Sequence, residues 1–224
     1  MNLGELRTRL RLLNPEATSA VVSDANVNLL LNEGAETVAN KTDCLVTYDT
    51  QDVISGTQEY SLPTDCLKPL YVVYDDDIIP CVTQEWLDQY IPDWRGETGS
   101  TELYYRRANY IGLYKEPTAN EAGTDLLKIY YVKKPTSMSS DSADPFDSDP
   151  TLTPYHNLVV TYARAKCKEI VGKMQQAQLL YSEFEAKCRE MKREINYEPD
   201  LSEPIRPYYK GAAGKSRKQN PLDQ

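Results

Sequence analysis

The segment from Thr153 to Ile195 constrains the fold most, because its apolar residues repeat at helical spacing. Thr153 is expected to cap the start, with Pro154 at the first helical position. Gly172 is expected to separate two helices, and a single helix through Gly172 is the alternative. The apolar residues of the second half step by three and four positions and predict one buried face: Met174, Ala177, Tyr181, Phe184, Cys188, Met191 and Ile195.

Two further helices are predicted near the N-terminus. Residues 2–13 place Leu3, Leu6, Leu10 and Leu13 on one face, and Asn14-Pro15 stops this helix. The second helix follows Ser23, a favourable N-cap, and its inward positions are Val27, Leu30, Leu31, Gly34, Val38 and Ala39. Gly34 costs this helix about 1 kcal/mol relative to alanine. It is expected where another helix crosses closely.

From Leu45 the hydrophobic period changes to two, which predicts strands. Asp75, Asp76 and Asp77 are expected at a hairpin tip, and residues 83–91 form a short helix capped by Thr83. Three strands between residues 102 and 134 are predicted as an antiparallel meander. The chain is therefore predicted to be α+β.

Composition divides the chain into five parts. Residues 1–44 hold the first helices, residues 45–134 are β-rich, and residues 135–152 form an acidic Ser/Asp/Pro surface connection. Residues 153–196 hold the helical pair. Residues 197–224 contain four prolines without a helical stripe, and they form an extended basic arm that either is disordered or lies along a partner.

Charge is unevenly distributed. Residues 1–155 carry 12 basic and 25 acidic side chains, whereas residues 156–224 carry 13 basic and 9 acidic ones. The bulk of such a chain would repel phosphate, which argues against a general nucleic-acid binder. Five cysteines without a CxxC pair argue against a disulfide framework and favour assembly in a reducing cytoplasm. Neither a signal peptide nor a membrane span is expected.

Catalytic, metal and cofactor sites are not predicted. His156, the only histidine, is expected to serve in an interface or a hydrogen bond rather than as a base. The acids between residues 75 and 77, and those between 141 and 149, lack the further ligands or EF-hand glycine that a cation site needs. The Gly/Lys/Ser run at 211–216 lacks P-loop spacing. The chain is therefore not expected to be an enzyme.

Several short motifs follow one another in a characteristic order. A Tyr-x-Leu-Pro-x-Asp turn (60–65) is followed by a Tyr-Ile-Gly-Leu-Tyr-x-x-Pro strand (110–117). A strand ending at Lys134-Pro135 precedes the acidic loop, and Pro154-Tyr155-His156 opens the helical pair. This order resembles the tailed-bacteriophage head-to-tail adaptors, the connector proteins beneath the portal ring, and the similarity spans most of residues 1–196.

The resemblance implies a helical bundle, built from the N-terminal helices and the C-terminal pair, with an inserted β-rich region. It implies a structural virion protein in the neck. A ring of twelve copies would lie between the portal and the tail or nozzle protein, with DNA passing through its channel without sequence-specific binding. An acidic ring would let DNA slide because it offers few cations.

The resemblance also assigns portal binding to the arm. The candidates are Tyr197, Ile205, Arg206, Tyr208, Tyr209, Lys210, Lys215, Arg217 and Lys218. Candidates for the contact between subunits are Tyr155, His156, Tyr162 and Tyr181. Two alternatives stay open: another tail collar or tail-completion ring subunit, and a nucleic-acid-binding factor that uses the basic C-terminal region.

Overall fold

The α+β class predicted from the sequence is confirmed by the structure, a computed structural model that describes residues 1–196. The helices are α1 (Leu3–Leu13), α2 (Asp24–Thr42), α3 (Gln84–Tyr90), α4 (His156–Ile170) and α5 (Met174–Asn196). The strands are β1 (Val46–Val53), β2 (Glu59–Ser61), β3 (Cys66–Tyr74), β4 (Asp77–Ile79), β5 (Cys81–Val82), β6 (Tyr104–Arg107), β7 (Tyr110–Leu113) and β8 (Gly123–Lys133). None of the helices in this part of the chain is long and apolar enough to span a membrane.

Side-chain caps fix where the N-terminal helices begin. Asn2 and Glu5 form a capping box on α1, since each side chain accepts a hydrogen bond from the other's backbone N–H. Ser23 caps α2 as predicted, and its hydroxyl accepts from the Asn26 N–H. α2 ends at Thr42, and its C-cap residue Asp43 adopts the left-handed conformation at φ 56°.

Helices α1, α2, α4 and α5 pack around one apolar core. It contains Leu3, Leu6, Leu10, Val27, Leu31, Val38, Val159, Ala163, Phe184, Cys188 and Met191, among others. Gly34 lies where α2 crosses α4: a Cβ atom at this position would lie 3.1 Å from the Val159 carbonyl oxygen. The absence of a side chain therefore permits the close helix crossing that the sequence suggested.

The predicted break between α4 and α5 is confirmed, and the single-helix alternative is wrong. Gly172 has φ 76° and lies between the end of α4 and the start of α5. The predicted start of the pair is wrong. Asp149 accepts a hydrogen bond from the Thr151 N–H and begins a 3-10 helix over Pro150–Tyr155, so Thr153 and Pro154 lie inside it and α4 begins at His156.

The sequence predicted a surface connection for residues 135–152, but this segment also contributes to the core. Met138, Phe146 and Leu152 are buried in the helical core. The Asn32 side chain holds Met138 by accepting from its N–H at 2.7 Å and donating to its carbonyl oxygen at 3.2 Å. The prediction failed because isolated apolar residues without regular spacing give no periodic signal.

The strands form two four-stranded sheets that pack face to face. The first sheet has the order β1-β8-β3-β4, and the second has the order β2-β7-β6-β5. Val53, Val72, Ile79, Leu127 and Ile129 of the first sheet share a core with Tyr60, Tyr104, Ile111 and Leu113 of the second. β1 directly follows α2 and β8 leads back towards the helices, so the base of the first sheet lies beside the helical core.

The predicted three-strand meander is wrong. β6 and β7 form an antiparallel hairpin, but β8 pairs with β1 and β3 in the other sheet. The β-rich region is also not wholly antiparallel, because β5 pairs with β6 in parallel. The predicted hairpin at Asp75–Asp77 is confirmed between β3 and β4.

Candidate interaction surfaces

Several carboxylates of the acidic runs in the sequence pair with basic side chains in the structure. Asp76, at the exposed β3–β4 tip, lies 2.9 Å from the Lys128 ammonium. Asp141 pairs with Arg7 at 2.6 Å, and Asp147 pairs with Lys133 at 2.6 Å. Across residues 1–196, His, Cys, Asp and Glu side chains form no group of three or more that could hold a metal ion.

His156 is a core residue of the helical part of the molecule. Its side chain is 2 % exposed, and its ring packs edge-on against Phe146 with 5.8 Å between centroids. Nδ1 lies 2.6 Å from the Met1 amino nitrogen and 3.0 Å from the Met1 carbonyl oxygen. Burial, followed by the positive amino group, lowers the pKa of His156, whereas Asp144 and Glu5 act in the opposite direction.

The lowered pKa of His156 predicts a specific loss of stability in mild acid. Below about pH 6.5 the unfolded chain takes up a proton at His156 that the folded chain resists, so stability falls with pH until the folded pKa is passed. This contribution cannot exceed about 1.4 kcal/mol per pH unit. Urea unfolding between pH 7 and 5 should therefore show a steeper loss for the wild type than for His156→Gln, which does not titrate.

That comparison isolates His156, because Asp43 and Asp147 also have lowered pKa values and lose stability in acid in both proteins. Equal pH slopes for the two proteins would contradict the assignment of a buried neutral histidine.

The four residues predicted for the contact between subunits do not form one surface. Tyr162 is buried, its hydroxyl donates to Glu33, and its ring packs against Phe184 at 5.4 Å. Tyr181 is half-buried, with its ring centroid 6.2 Å from that of Tyr162. Half-buried Tyr155 donates from its hydroxyl to Glu194. These side chains contribute to packing within the subunit, and their contact with a neighbouring subunit stays a prediction.

Burial shifts the pKa values of Tyr162 and Tyr181 in the same direction. It raises the pKa of Tyr162, and the adjacent Glu33 carboxylate raises it further. It also raises the pKa of Tyr181. Both hydroxyls are therefore neutral at physiological pH, which suits packing between helices rather than acid–base chemistry.

Asp43 joins the end of α5 to the base of the first sheet. Its carboxylate lies 2.5 Å from the Lys68 ammonium on β3 and 2.8 Å from the Lys192 ammonium on α5. Burial alone would raise the pKa of Asp43, but the two ammonium groups hold it below its ordinary value. The last turns of α5 are therefore tied to the sheet at the point where the described chain ends.

The candidate portal-binding residues, from Tyr197 to Lys218, lie outside the described residues. One part of the predicted buried stripe leading to them is wrong, because Met174 is 61 % exposed. It occupies the first turn of α5, and Ile170 at the end of α4 is exposed as well. Ala177, Phe184, Cys188 and Met191 are buried as predicted.

Sequence reasoning missed an aromatic row on the outer face of the first sheet. Tyr48, Tyr130 and Tyr71 stand side by side on β1, β8 and β3. The Tyr48 and Tyr130 ring centroids are 5.4 Å apart, and those of Tyr130 and Tyr71 are 4.5 Å apart. The sequence signal was the tyrosine in each strand, but only the strand register could place the three together.

Comparison with protein families gives a match. A family model described as SU10 adaptor protein matches residues 1–207. The match includes all five helices, both sheets and the residues immediately after α5. No curated protein matches the chain.

Proposed function

Because this chain belongs to the SU10 adaptor family, a family of bacteriophage head-to-tail adaptors, we propose that it forms a ring between the portal and the tail or nozzle protein. Membership makes it a phage structural protein of the virion neck, indicates a non-enzymatic role, and implies interaction with portal and tail proteins in general. The ring of twelve copies, the DNA exit channel and assembly in the host cytoplasm are parts of our proposal.

The observation that carries the proposal is the family match over residues 1–207. In our proposal, α1, α2, α4 and α5 are the bundle that the adaptor resemblance implies, and residues 45–134 are its β-rich insertion. Their shared helical core and the β-sheet pair support this division. The division of the chain into residues 1–44, 45–134, 135–152, 153–196 and 197–224 is part of this proposal.

The proposed ring requires a rigid subunit that presents its contact segments in a fixed place. Ion pairs between elements that are distant in sequence support this rigidity. They join Lys192 to Asp43, Asp43 to Lys68, and Arg7 to Asp141. Partly buried ion pairs of this kind fix geometry more than they add stability. They would hold the base of the arm, residues 197–224, in one position relative to the bundle.

The proposed channel role is supported by charge. Residues 1–155 carry 25 acidic side chains against 12 basic ones, and many of the basic ones are engaged in ion pairs. A channel with few available cations would let DNA pass because it offers phosphates little to bind. The acidic residues that line the channel would be determined by the orientation of the subunits in the ring.

The proposal is tested by mixing the purified protein with the portal ring of the same virus. A complex that co-migrates on gel filtration, with twelve subunits per portal ring by mass photometry, is the expected result. Absence of association at every ionic strength would contradict it. Binding to the nozzle protein but not the portal would favour the tail collar subunit, and salt-sensitive binding to DNA would favour the nucleic-acid factor.

A further inference from the structure

The outer face of the first sheet is uncovered among the described residues. Its inner face packs on the second sheet, but Tyr48 is 57 % exposed and Tyr71 is 38 % exposed on the outer face. Val46 and Ile78, on the same side, are exposed as well. We call this surface, defined by Val46, Tyr48, Tyr71, Ile78 and Tyr130, the tyrosine face. Contiguous exposed apolar surface of this kind marks a contact site.

The tyrosine face ends in a group of carboxylates at the tip of the sheet. The tip carries Asp52, Asp75, Asp76, Asp77 and Asp125. The backbone links these positions, because the Asp125 N–H donates to Asp52 at 3.0 Å and the Asp75 N–H donates to the Leu126 carbonyl oxygen at 3.0 Å. Lys128 neutralises Asp76, which leaves negative charge in excess. A partner of this face should therefore combine apolar rings with positive charge.

The opposite end of the tyrosine face adjoins the last turns of α5. Lys68 and Val46 are both cross-strand partners of Val132, so they lie in one row at the base of the face. Asp43 connects Lys68 to Lys192, four residues before the end of α5. The chain therefore leaves the described structure beside the base of this face.

We propose that residues 204–219 of the same chain lie along the tyrosine face. This segment has the required chemistry: Ile205, Tyr208 and Tyr209 supply apolar contact, and it contains no acidic residue. Its basic residues are Arg206, Lys210, Lys215, Arg217 and Lys218. Tyrosine rings pack on the exposed tyrosine row, and the basic residues face the acidic tip.

Chain length is compatible with docking on the same subunit. The ten residues from Asn196 to Arg206 can span about 33 Å when extended. The face from Val46 to Asp52 is about 20 Å long at 3.4 Å per residue. The segment can therefore start at the base and reach the tip. In the subunit that is not bound to the portal, docking there covers an aromatic surface that is otherwise open to non-specific association. Portal binding by the same segment requires it to leave this face, so the two contacts belong to different states of the subunit.

Trypsin cleavage of the full-length protein tests the proposal. Cleavage after Lys210, Lys215, Arg217 and Lys218 requires an accessible segment, so docking should slow it. A variant with Tyr48→Ser and Tyr71→Ser should be cut at these sites about fivefold faster than the wild type. Tyr110→Ser is the matched control, because Tyr110 is 45 % exposed but lies on β7 of the second sheet.

A second variant tests charge without touching the tyrosines. Asp75→Asn, Asp76→Asn and Asp77→Asn remove the charge of the tip, and asparagine tolerates the positive φ of 48° at Asp75 and 64° at Asp76. This variant should also be cut faster. Unchanged circular dichroism and Tm establish that each variant is folded, since every substituted side chain is exposed.

Equal cleavage rates in the wild type and both variants would overturn the proposal. Protection that rises with protein concentration would overturn docking on the same subunit and assign the segment to a neighbouring copy. Protection that is independent of concentration and lost in both variants, but kept in Tyr110→Ser, supports it.

Discussion

Replacing Phe146 with alanine should lower the free energy of unfolding by about 3–5 kcal/mol. Phe146 is fully buried in the helical core, although it comes from the Ser/Asp/Pro-rich segment between β8 and α4. Its ring packs against His156 at the start of α4. Truncation would leave a cavity between the segment and the helices, so the melting temperature should fall by roughly 10 °C.

The matched controls for Phe146→Ala are Phe146→Leu and Leu179→Ala. Leucine keeps most of the buried volume and should cost less than about 1.5 kcal/mol. Leu179 is an exposed apolar residue of α5, and its truncation should change stability by less than about 0.5 kcal/mol. Position 146 has a positive φ of 57°, and alanine and leucine would carry similar backbone strain there. Strain therefore does not distinguish Phe146→Ala from Phe146→Leu. A loss below 1 kcal/mol for Phe146→Ala would show that this segment is not part of the core.

Phe146 also shows where sequence reasoning ends. The helices were predictable because their apolar residues repeat, as Val27, Leu31 and Val38 do on α2, and because Ser23 marks its beginning. Phe146 belongs to no repeat, and it enters the core through a turn of positive φ that its own sequence does not favour. Whether such a residue is buried depends on the space that the packed helices leave in the core.

Strand pairing was less predictable than strand existence for a related reason. The strand around Tyr130 was expected to pair with its sequence neighbours, but β8 lies between β1 and β3, which are more than fifty residues earlier. Period-two alternation reports one buried face and contains no information on the partner strand. The tyrosine face was therefore invisible until the register placed Tyr48, Tyr130 and Tyr71 in one row.

The functional prediction rested on the order of motifs rather than on a site. Recognition of a head-to-tail adaptor from the turn at 60–65, the strand at 110–117 and the opening of the helical pair is confirmed by the family match. His156 shows why single residues were weaker guides. His156 is a hydrogen-bonded core residue. Its burial depends on the neighbouring Phe146, whose position the sequence did not predict.

Removing residues 197–224 should weaken association with the portal by about 100-fold or more. The arm contains two adjacent tyrosines, Tyr208 and Tyr209, and five basic side chains. Aromatic and arginine anchors at interfaces each contribute about 2 kcal/mol or more, and 2.7 kcal/mol corresponds to a factor of 100 in affinity. The measurement is the Kd for the portal ring, obtained by sedimentation or surface-immobilised binding with the truncated and full-length proteins.

The truncated protein must first be shown to be folded, and the structure gives a reason to expect this. The last turns of α5 are held within residues 1–196 by Lys192 on Asp43 and by burial of Met191, so the helical core does not require the arm. A full-length variant with Tyr208→Ser and Tyr209→Ser keeps the length and charge of the arm. If aromatic anchoring dominates, this variant should reproduce most of the loss, whereas charge contacts alone would leave its low-salt affinity near that of the wild type. An unchanged Kd after complete removal of the arm would show that the adaptor binds the portal through residues 1–196, and portal docking would then have to be assigned to the surfaces of the helices and sheets.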